Sequence, residues 1–126
     1  MPGPPRLTVD GADPILLRVV PLIRHLDVEG GGTLVLISLE LWQDWLTIAW
    51  LGAPPMDEGR SRPTPPGWTV EDDVGTPYRL AAGGAGGGST YNRGTVSFQP
   101  APPETANVLR ITPPRVVDGR LSVPIR

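Results

Sequence analysis

The sequence predicts an all-β protein, an antiparallel sandwich or barrel of seven or eight short strands. In several short segments, apolar side chains alternate with polar ones, which is the period of a half-buried strand. Between these segments lie most of the 17 prolines and 16 glycines of the 126-residue chain. No internal repeat typical of a propeller or solenoid is present. Frequent turns between alternating segments are the pattern of an antiparallel fold.

The composition favours a folded domain over a disordered chain. Proline and glycine make up about a quarter of the residues, which is near the range of low-complexity sequences. However, 39% of the residues are hydrophobic, four are Trp and the net charge is only -2, whereas disordered chains combine low hydrophobicity with high charge. The length fits one domain. We therefore expect a flexible lead-in over residues 1–14 and a single β domain over residues 15–126.

The first element is ambiguous between a strand and a helix. Asp13 followed by Pro14 resembles a helix start, and apolar residues near helical spacing follow it. Pro21 lies too deep for an uninterrupted helix, and β-branched residues around it favour a strand. The pattern predicts a strand over residues 22–28 and leaves open a short helical turn before it.

Two strong strands follow, over residues 33–42 and 45–51. Gln43 and Asp44 make a tight connection between them, so Trp42 and Trp45 are expected to form a cross-strand aromatic pair beside the turn. The second strand directs Leu46, Ile48 and Trp50 to one face. In the first strand, strict alternation places four apolar side chains on one face: Val35, Ile37, Leu39 and Leu41.

The middle of the chain predicts two long loops and a hairpin. Residues 53–67 are rich in proline and poor in apolar residues, which is typical of a surface loop. Residues 68–72 and 76–81 are expected to pair as a hairpin. Residues 83–90 contain five glycines and predict a second, flexible loop.

Three strands complete the predicted domain, over residues 91–98, 108–112 and 121–125. Prolines follow the first two of them. Pro124 lies within the last and lacks a backbone donor, so that strand is expected at a sheet edge.

The residues between Trp68 and Ile111 carry a resemblance to a known group. The acidic strand and D-x-G-T-x-Y hairpin up to Tyr78, and the F-x-P strand exit at Phe98, resemble those of small uncharacterised immunoglobulin-like β-sandwich proteins of GC-rich bacteria. They also resemble the sandwich modules at the C-terminal end of some bacterial cell-envelope and stress-regulatory proteins. The resemblance implies an immunoglobulin-like β-sandwich over about residues 22–125 and transfers no activity. The chain differs from the group at the first tight hairpin, where Asp44-Trp45 replaces Asp-Gly.

Several classes of function find no support in the composition. With no Cys and a single His, the chain offers no thiolate site, no disulfide and no His-rich metal site, so we predict no cofactor and no metal. The basic residues are all Arg and are scattered, and carboxylates outnumber them, which does not fit a nucleic-acid interface. The apolar stretches are interrupted by charged residues, and the first residues lack a secretory pattern, so a cytoplasmic location without membrane insertion is expected.

Four other features of the sequence have alternative interpretations. Asp72 and Asp73 suit either a calcium site or an Asx turn, and the turn is favoured because calcium needs six to eight oxygen ligands. The glycine run lacks the helix and Lys of a phosphate loop. His25 has no nucleophile motif near it, so a catalytic role is disfavoured. A carboxylate hydrolase is a third alternative, drawing on four acidic residues: Glu40, Asp44, Asp57 and Glu58.

The aromatic residues are the strongest candidates for a binding surface. A core of this size does not accommodate every Trp, and Trp is enriched at binding hot spots. The sequence therefore predicts a non-enzymatic interaction or structural module whose partner is another protein or a second copy. A carbohydrate or small-ligand binding domain, calcium-dependent in one version, is the alternative. The candidate partner-binding residues are Trp42, Trp45, Trp68 and Tyr91.

Overall fold

The computed structural model of the chain describes residues 13–55 and 67–126. In these two segments the regular structure is β throughout, with eight strands and no helix, which confirms the predicted all-β class. No helix in these segments is therefore long and apolar enough to span a membrane. The strands are β1 (Leu16–Asp27), β2 (Thr33–Trp42), β3 (Leu46–Ala53), β4 (Thr69–Asp72), β5 (Arg79–Gly87), β6 (Asn92–Gln99), β7 (Val108–Thr112) and β8 (Leu121–Pro124).

The described strands form two antiparallel sheets that enclose one apolar core. The larger sheet has the order β1-β2-β3-β6-β5, and the smaller has the order β4-β7-β8. Buried side chains from both sheets meet in a single cluster, which is the arrangement of a β-sandwich. Completely buried members include Leu39 and Ile48 from the larger sheet and Leu109 and Ile111 from the smaller.

A β-bulge in β2 decides which of its side chains enter the core. Leu36 pairs with Trp50 and Ser38 with Ala49, so Ile37 is an extra residue with no partner in β3. The extra residue reverses the alternation, and Leu36 and Leu39 both become fully buried. The predicted common face for Val35, Ile37, Leu39 and Leu41 is therefore wrong for the first two. The predicted inward face of β3 is confirmed, since all three of its named side chains are buried: Leu46, Ile48 and Trp50.

β1 is longer than the sequence predicts and is an edge strand of the larger sheet. It begins at Leu16 and continues through Pro21, and no helical turn precedes it in the described part of the chain. Its pairing with β2 shifts register twice, once beside Leu17 and once between Pro21 and Arg24. Ile23 lies in the second shift with a φ of 50°, a left-handed conformation that a β-branched residue rarely adopts, and 69% of it is exposed.

The hairpin predicted for residues 68–72 and 76–81 does not form. β4 pairs with β7 in the smaller sheet, whereas β5 pairs with β6 in the larger one. The connection after Asp72 thus carries the chain from one sheet to the other. A hairpin and a crossing between sheets have the same local alternation and the same turn residues. The sequence pattern therefore does not distinguish the two.

The glycine-rich segment is a strand where the sequence predicts a flexible loop over residues 83–90. β5 extends to Gly87, and its ladder with β6 runs without a shift from Gly83 opposite Val96 to Gly87 opposite Asn92. The end of β5 requires glycine, because a Cβ added at Gly87 would come within 2.8 Å of the Asn92 Cα. Backbone pairing and this close packing override the loop propensity of glycine.

The predictions for the last three strands are largely confirmed. β7 has the predicted bounds, β6 is displaced by one residue, and Pro124 lies in β8 at the edge of the smaller sheet as expected. Residues 1–12 of the predicted lead-in and residues 56–66 of the predicted long loop lie outside the described residues.

The β2 bulge predicts an unusual pattern of alanine effects. Leu36→Ala and Leu39→Ala should each lower the free energy of unfolding by about 2–5 kcal/mol, since both side chains are fully buried. Ile37→Ala should cost less than about half of that. Denaturant unfolding of the three variants measures the effects. A low cost at either Leu36 or Leu39 contradicts the bulge, because strict alternation would place these two on opposite faces.

The β5 strand predicts opposite effects for two Gly→Ala substitutions. Gly94→Ala should destabilise the fold by about 1–3 kcal/mol, because the new methyl group overlaps Trp50 and the β5 backbone. Gly84→Ala, where no atom lies within 4 Å of the added Cβ, should stabilise it by about 0.5 kcal/mol, since glycine weakens a strand interior. Thermal unfolding compares the two. A neutral result at both positions would be expected of a flexible loop and contradicts the strand.

Candidate functional site

One end of the sandwich carries a groove of about 830 Å³ between the β2–β3 turn and the segment that follows β6. One wall includes Trp42 and Leu41, the opposite wall is formed by residues 100–103, and buried Ile125 lies between them. Leu17, Asp44 and Glu104 also line it. We call it the Trp42 groove.

Two contacts fix the orientation of the Trp42 indole. The rings of Trp42 and Trp45 stack with centroids 5.2 Å apart and planes 13° from parallel, which confirms the predicted aromatic pair. The Trp42 Nε1–H donates to Glu40 Oε1 at 3.0 Å. The turn between the two Trp residues closes through the Trp42 N–H, which donates to the Trp45 carbonyl at 2.9 Å. Residues 43–45 have no positive φ, so a Trp at position 45 fits this turn without strain.

Charged side chains hold the opposite wall by binding backbone groups. The Arg126 guanidinium donates from Nε to the Ala106 carbonyl at 2.7 Å and from Nη2 to the Pro103 carbonyl at 2.8 Å. Asp73 Oδ1 accepts from the Asn107 N–H at 2.9 Å. These bonds satisfy polar backbone groups in a segment without regular structure. The wall is therefore positioned independently of any ligand.

Arg18 ties β1 to the end of β8 across the same groove. Its Nη1 donates to the Ile125 carbonyl at 2.7 Å, a bond between the two sheets. The Ile125 N–H in turn donates to the Asn107 carbonyl at 2.9 Å. The base of the groove is thus connected by hydrogen bonds to both sheets.

Asp72 organises the crossing from β4 to β5 beside this end. Its Oδ1 accepts from the Val74 N–H at 2.9 Å and the Thr76 N–H at 3.0 Å, and its Oδ2 accepts from the Tyr78 hydroxyl at 2.8 Å. Only 6% of the residue is exposed. The predicted Asx turn is confirmed. One carboxylate therefore fixes the local turn and the first aromatic side chain after it.

These bonds shift the pKa values of the groups involved. Burial raises the pKa of Asp72, but hydrogen bonds from Thr76, Tyr78 and Val74 outweigh it and lower the value to about 2. Burial and the bond to the Asp72 carboxylate raise the pKa of Tyr78 above its usual range. The Asn107 N–H lowers the pKa of Asp73. Both aspartates are thus held ionised by donors of the chain itself.

The geometry around Asp72 and Asp73 does not resemble a cation site. Both Asp72 oxygens accept bonds from the protein, and the Asp73 carboxylate is directed to the backbone of residues 107 and 108. Within residues 13–55 and 67–126, no three acidic or imidazole side chains cluster in a way that would hold a metal ion. Hydrogen bonds from the chain occupy both oxygens of Asp72 and Oδ1 of Asp73.

The four predicted partner-binding residues do not form one surface. Trp42 and Trp45 lie together at the groove end, where Leu46 pairs with Phe98. Tyr91 is 45% exposed but lies beyond the other end of the larger sheet, where Gly52 pairs with Asn92. Trp68 precedes β4 at the end of that strand remote from Asp72 and packs against the core. Of the four, only Trp42 lines the groove, and Trp45 supports it by stacking.

The other candidate polar residues are separated as well. His25 is exposed on β1 opposite Val35, and no described Ser, Asp or Glu side chain forms a hydrogen bond with its imidazole. Glu40 accepts from Trp42, whereas Asp44 lies exposed at the groove. Asp57 and Glu58 lie outside the described residues.

The sequence does not predict the groove wall formed by residues 100–103. Its prolines indicate only the end of the preceding strand, and nothing in the local pattern associates them with Trp42. The two segments meet because β3 pairs with β6, so the β2–β3 turn and the exit of β6 reach the same end of the sheet. Only a correct strand order would have revealed this proximity.

Comparison of the chain with protein-family models, curated proteins and solved structures finds no match. The resemblance to small immunoglobulin-like proteins of GC-rich bacteria therefore stays a prediction.

The low pKa of Asp72 predicts a pH-dependent contribution to stability. Its folded-state pKa of about 2 lies below the unfolded value of 3.8, so the contribution is fully present above about pH 4 and is lost as the pH falls toward 2. Asp72→Asn should lower the free energy of unfolding by about 2 kcal/mol at pH 6 and by much less at pH 2.5. Urea unfolding at both pH values measures this. Equal losses at the two pH values would show that the charge of Asp72 contributes nothing.

Proposed function

We propose that this protein is a non-enzymatic protein-interaction module, an immunoglobulin-like β-sandwich that binds its partner in the Trp42 groove. The single observation that carries the proposal is the Trp42 indole. It lines a groove of about 830 Å³ and is already held in place by Trp45 and Glu40. The residues that contribute most to protein interfaces are enriched in Trp, Tyr and Arg.

The strand order supports the immunoglobulin-like part of the proposal. The constant-type immunoglobulin fold packs sheet ABED against sheet CFG. Without β1, the larger sheet has the order β2-β3-β6-β5 and faces β4-β7-β8, which corresponds to ABED and CFG when β2 is strand A. In this proposal β1 is an additional strand beside strand A. The groove then lies at the end of the sandwich formed by the AB and EF connections.

The fixed position of Trp42 favours binding energetically. Association has to overcome the entropy lost by each side chain that becomes ordered, at about 0.5–1.5 kcal/mol for a mobile one. Stacking and a hydrogen bond order Trp42 in the free protein, and Arg126 donates to the Pro103 carbonyl at the end of the opposite wall. Contacts made in this groove therefore contribute to affinity with little further ordering.

The β1 edge of the larger sheet is protected against pairing with a second copy. β1 carries Pro21, two register shifts and the charged Arg18 and Arg24. These are the features by which natural edge strands resist edge-to-edge pairing. Self-association through this edge is thus disfavoured, and the exposed Leu17 side chain remains available at the groove.

Binding of a carbohydrate or small ligand is the second candidate function, and Trp42 supports it too. Sugars stack on exposed indole faces. Because Trp45 covers one face of the Trp42 ring, only the other face is left for such stacking. The bonds of Asp72 and Asp73 to the chain give no support to its calcium-dependent version.

The proposal predicts that peptide binding depends on Trp42. Selection from a random peptide display library on the immobilised protein should yield peptides whose affinity falls at least about tenfold in Trp42→Ala, the loss typical of a hot-spot aromatic. Tyr91→Ala is the matched control, since it removes an exposed aromatic from the opposite end. Titration calorimetry measures the affinities, and circular dichroism verifies that each variant is folded.

Two results would contradict this proposal. The first is a selection that yields no peptide sensitive to Trp42→Ala. The second is selected peptides that bind Trp42→Ala normally and are lost in Tyr91→Ala. Trp42-dependent binding of oligosaccharides without peptide binding would favour the second candidate function.

A further inference from the structure

We infer that the protein forms a homodimer in which the outer faces of two larger sheets pack against each other. The outer face is the one directed away from the sandwich core. This inference goes beyond the proposed function, because the partner is a second copy of the chain and the surface is separate from the Trp42 groove.

The strand register identifies which side chains lie on the outer face. Leu34 and Leu36 of β2 are fully buried in the core, so Val35 between them lies on the outer face. Leu51 of β3 pairs with Val35 and shares its face. Ala49 lies two residues before Leu51 in the same strand and is directed the same way. The two strands thus direct apolar side chains away from the core.

The β2 bulge and the edge strand β1 extend this apolar surface. Leu36 and Leu39 are both buried, so Ile37 and the residue after it lie on the outer face. Val19 of β1, which is 50% exposed, lies there too, because its neighbour Val20 pairs with buried Leu39. We call the resulting set the outer patch: Val19, Val35, Ile37, Ala49 and Leu51.

Polar side chains beside the outer patch already have partners within the sheet. Thr47 Oγ1 and Ser97 Oγ share a hydrogen bond of 2.7 Å, and Glu40 accepts from the Trp42 indole N–H. Covering these groups with an apolar surface costs little, because each keeps a hydrogen bond.

The outer face of the smaller sheet shows how this chain presents a sheet to water. Glu71 of β4 pairs with Arg110 of β7, and Ser122 of β8 continues the row. Arg120 Nη2 lies 3.8 Å from Glu71 Oε2, and their side chains are 60% and 61% exposed. Antiparallel sheets normally carry such polar residues on a solvated face. The apolar outer patch differs from this pattern in the same molecule, which is typical of a face that another protein surface covers.

A second copy fits this face better than an unrelated partner. Homodimer interfaces are more apolar than interfaces between separate proteins, which are about as polar as the remaining surface. In a two-fold interface, a charge near the axis meets its own copy, so the centre of such a surface has to be uncharged. The central strand of the five, β3, contains no charged residue. In β2 only Glu40 is charged, and it is bound to Trp42.

The size of the face also suits a stable dimer. Five strands about 4.8 Å apart and about eight residues long, at about 3.3 Å per residue, form a face of about 600 Å². Two such faces together bury about 1,200 Å², the lower limit of specific and stable interfaces. Face-to-face packing of antiparallel sheets is also the arrangement inside the sandwich itself.

Sedimentation analysis of the full chain tests the dimer. At about 100 µM the native protein should sediment with twice the 13.4 kDa mass of one chain. Ala49→Glu places a carboxylate in the middle of the outer patch of both copies. It should weaken dimerisation at least about tenfold, because two like charges then meet in an apolar contact.

Two further variants make the comparison specific. Ser122→Glu is the matched control, since it adds the same carboxylate to the exposed outer face of the smaller sheet and should leave the dimer intact. Val19→Arg changes an exposed residue of β1 and should weaken the dimer even if Ala49→Glu does not fold. Circular dichroism verifies that each variant is folded.

Three results would overturn the inference. The first is a native protein that stays monomeric at about 100 µM, which leaves the outer patch to another segment of the chain or to a different protein. The second is a dimer that neither Ala49→Glu nor Val19→Arg weakens. The third is a dimer that Ser122→Glu weakens as much as they do. Peptide binding that depends on Trp42 is a separate measurement, so the proposed function and the dimer can each fail alone.

Discussion

The structure depends on charged side chains that bind backbone groups at one end of the sandwich. Asp72 closes the crossing between the sheets, Asp73 holds the start of β7, and Arg126 holds the segment after β6. Arg18 joins the larger sheet to the end of β8. Several strands end here, so the backbone N–H and C=O groups of the connecting segments have no partner in a neighbouring strand. These four side chains replace those partners, so the irregular segments keep fixed positions.

That arrangement explains why the candidate site lies at this end. A groove between loops binds well only if its walls do not have to be ordered at the moment of binding. Trp42, which stacks on Trp45, lies in one wall, and the other wall ends at Pro103, whose carbonyl accepts from Arg126.

The sequence was informative about single strands and uninformative about how they associate. Alternation located β2, β3, β6 and β7, and the aromatic pair at the β2–β3 turn followed from its spacing. The bulge at Ile37 was missed because an extra residue leaves no mark in an apolar run. The β5 strand was missed because its pairing with β6 is not visible in the local glycine-rich sequence. The second wall of the groove required the strand order, which alternation does not contain.

Mapping the contact of a peptide selected from the display library by nuclear magnetic resonance tests the central claim most directly. Each of the four Trp residues carries one indole N–H that can be followed in the labelled protein. The account predicts that the peptide shifts the indole signal of Trp42 and the amide signals of residues 43, 44, 101 and 104. The amide signals of Val74 and Thr76 should stay unchanged, because the bonds to Asp72 hold them. Shifts confined to Trp68 and Tyr91 would place the binding surface at the opposite end and contradict the account.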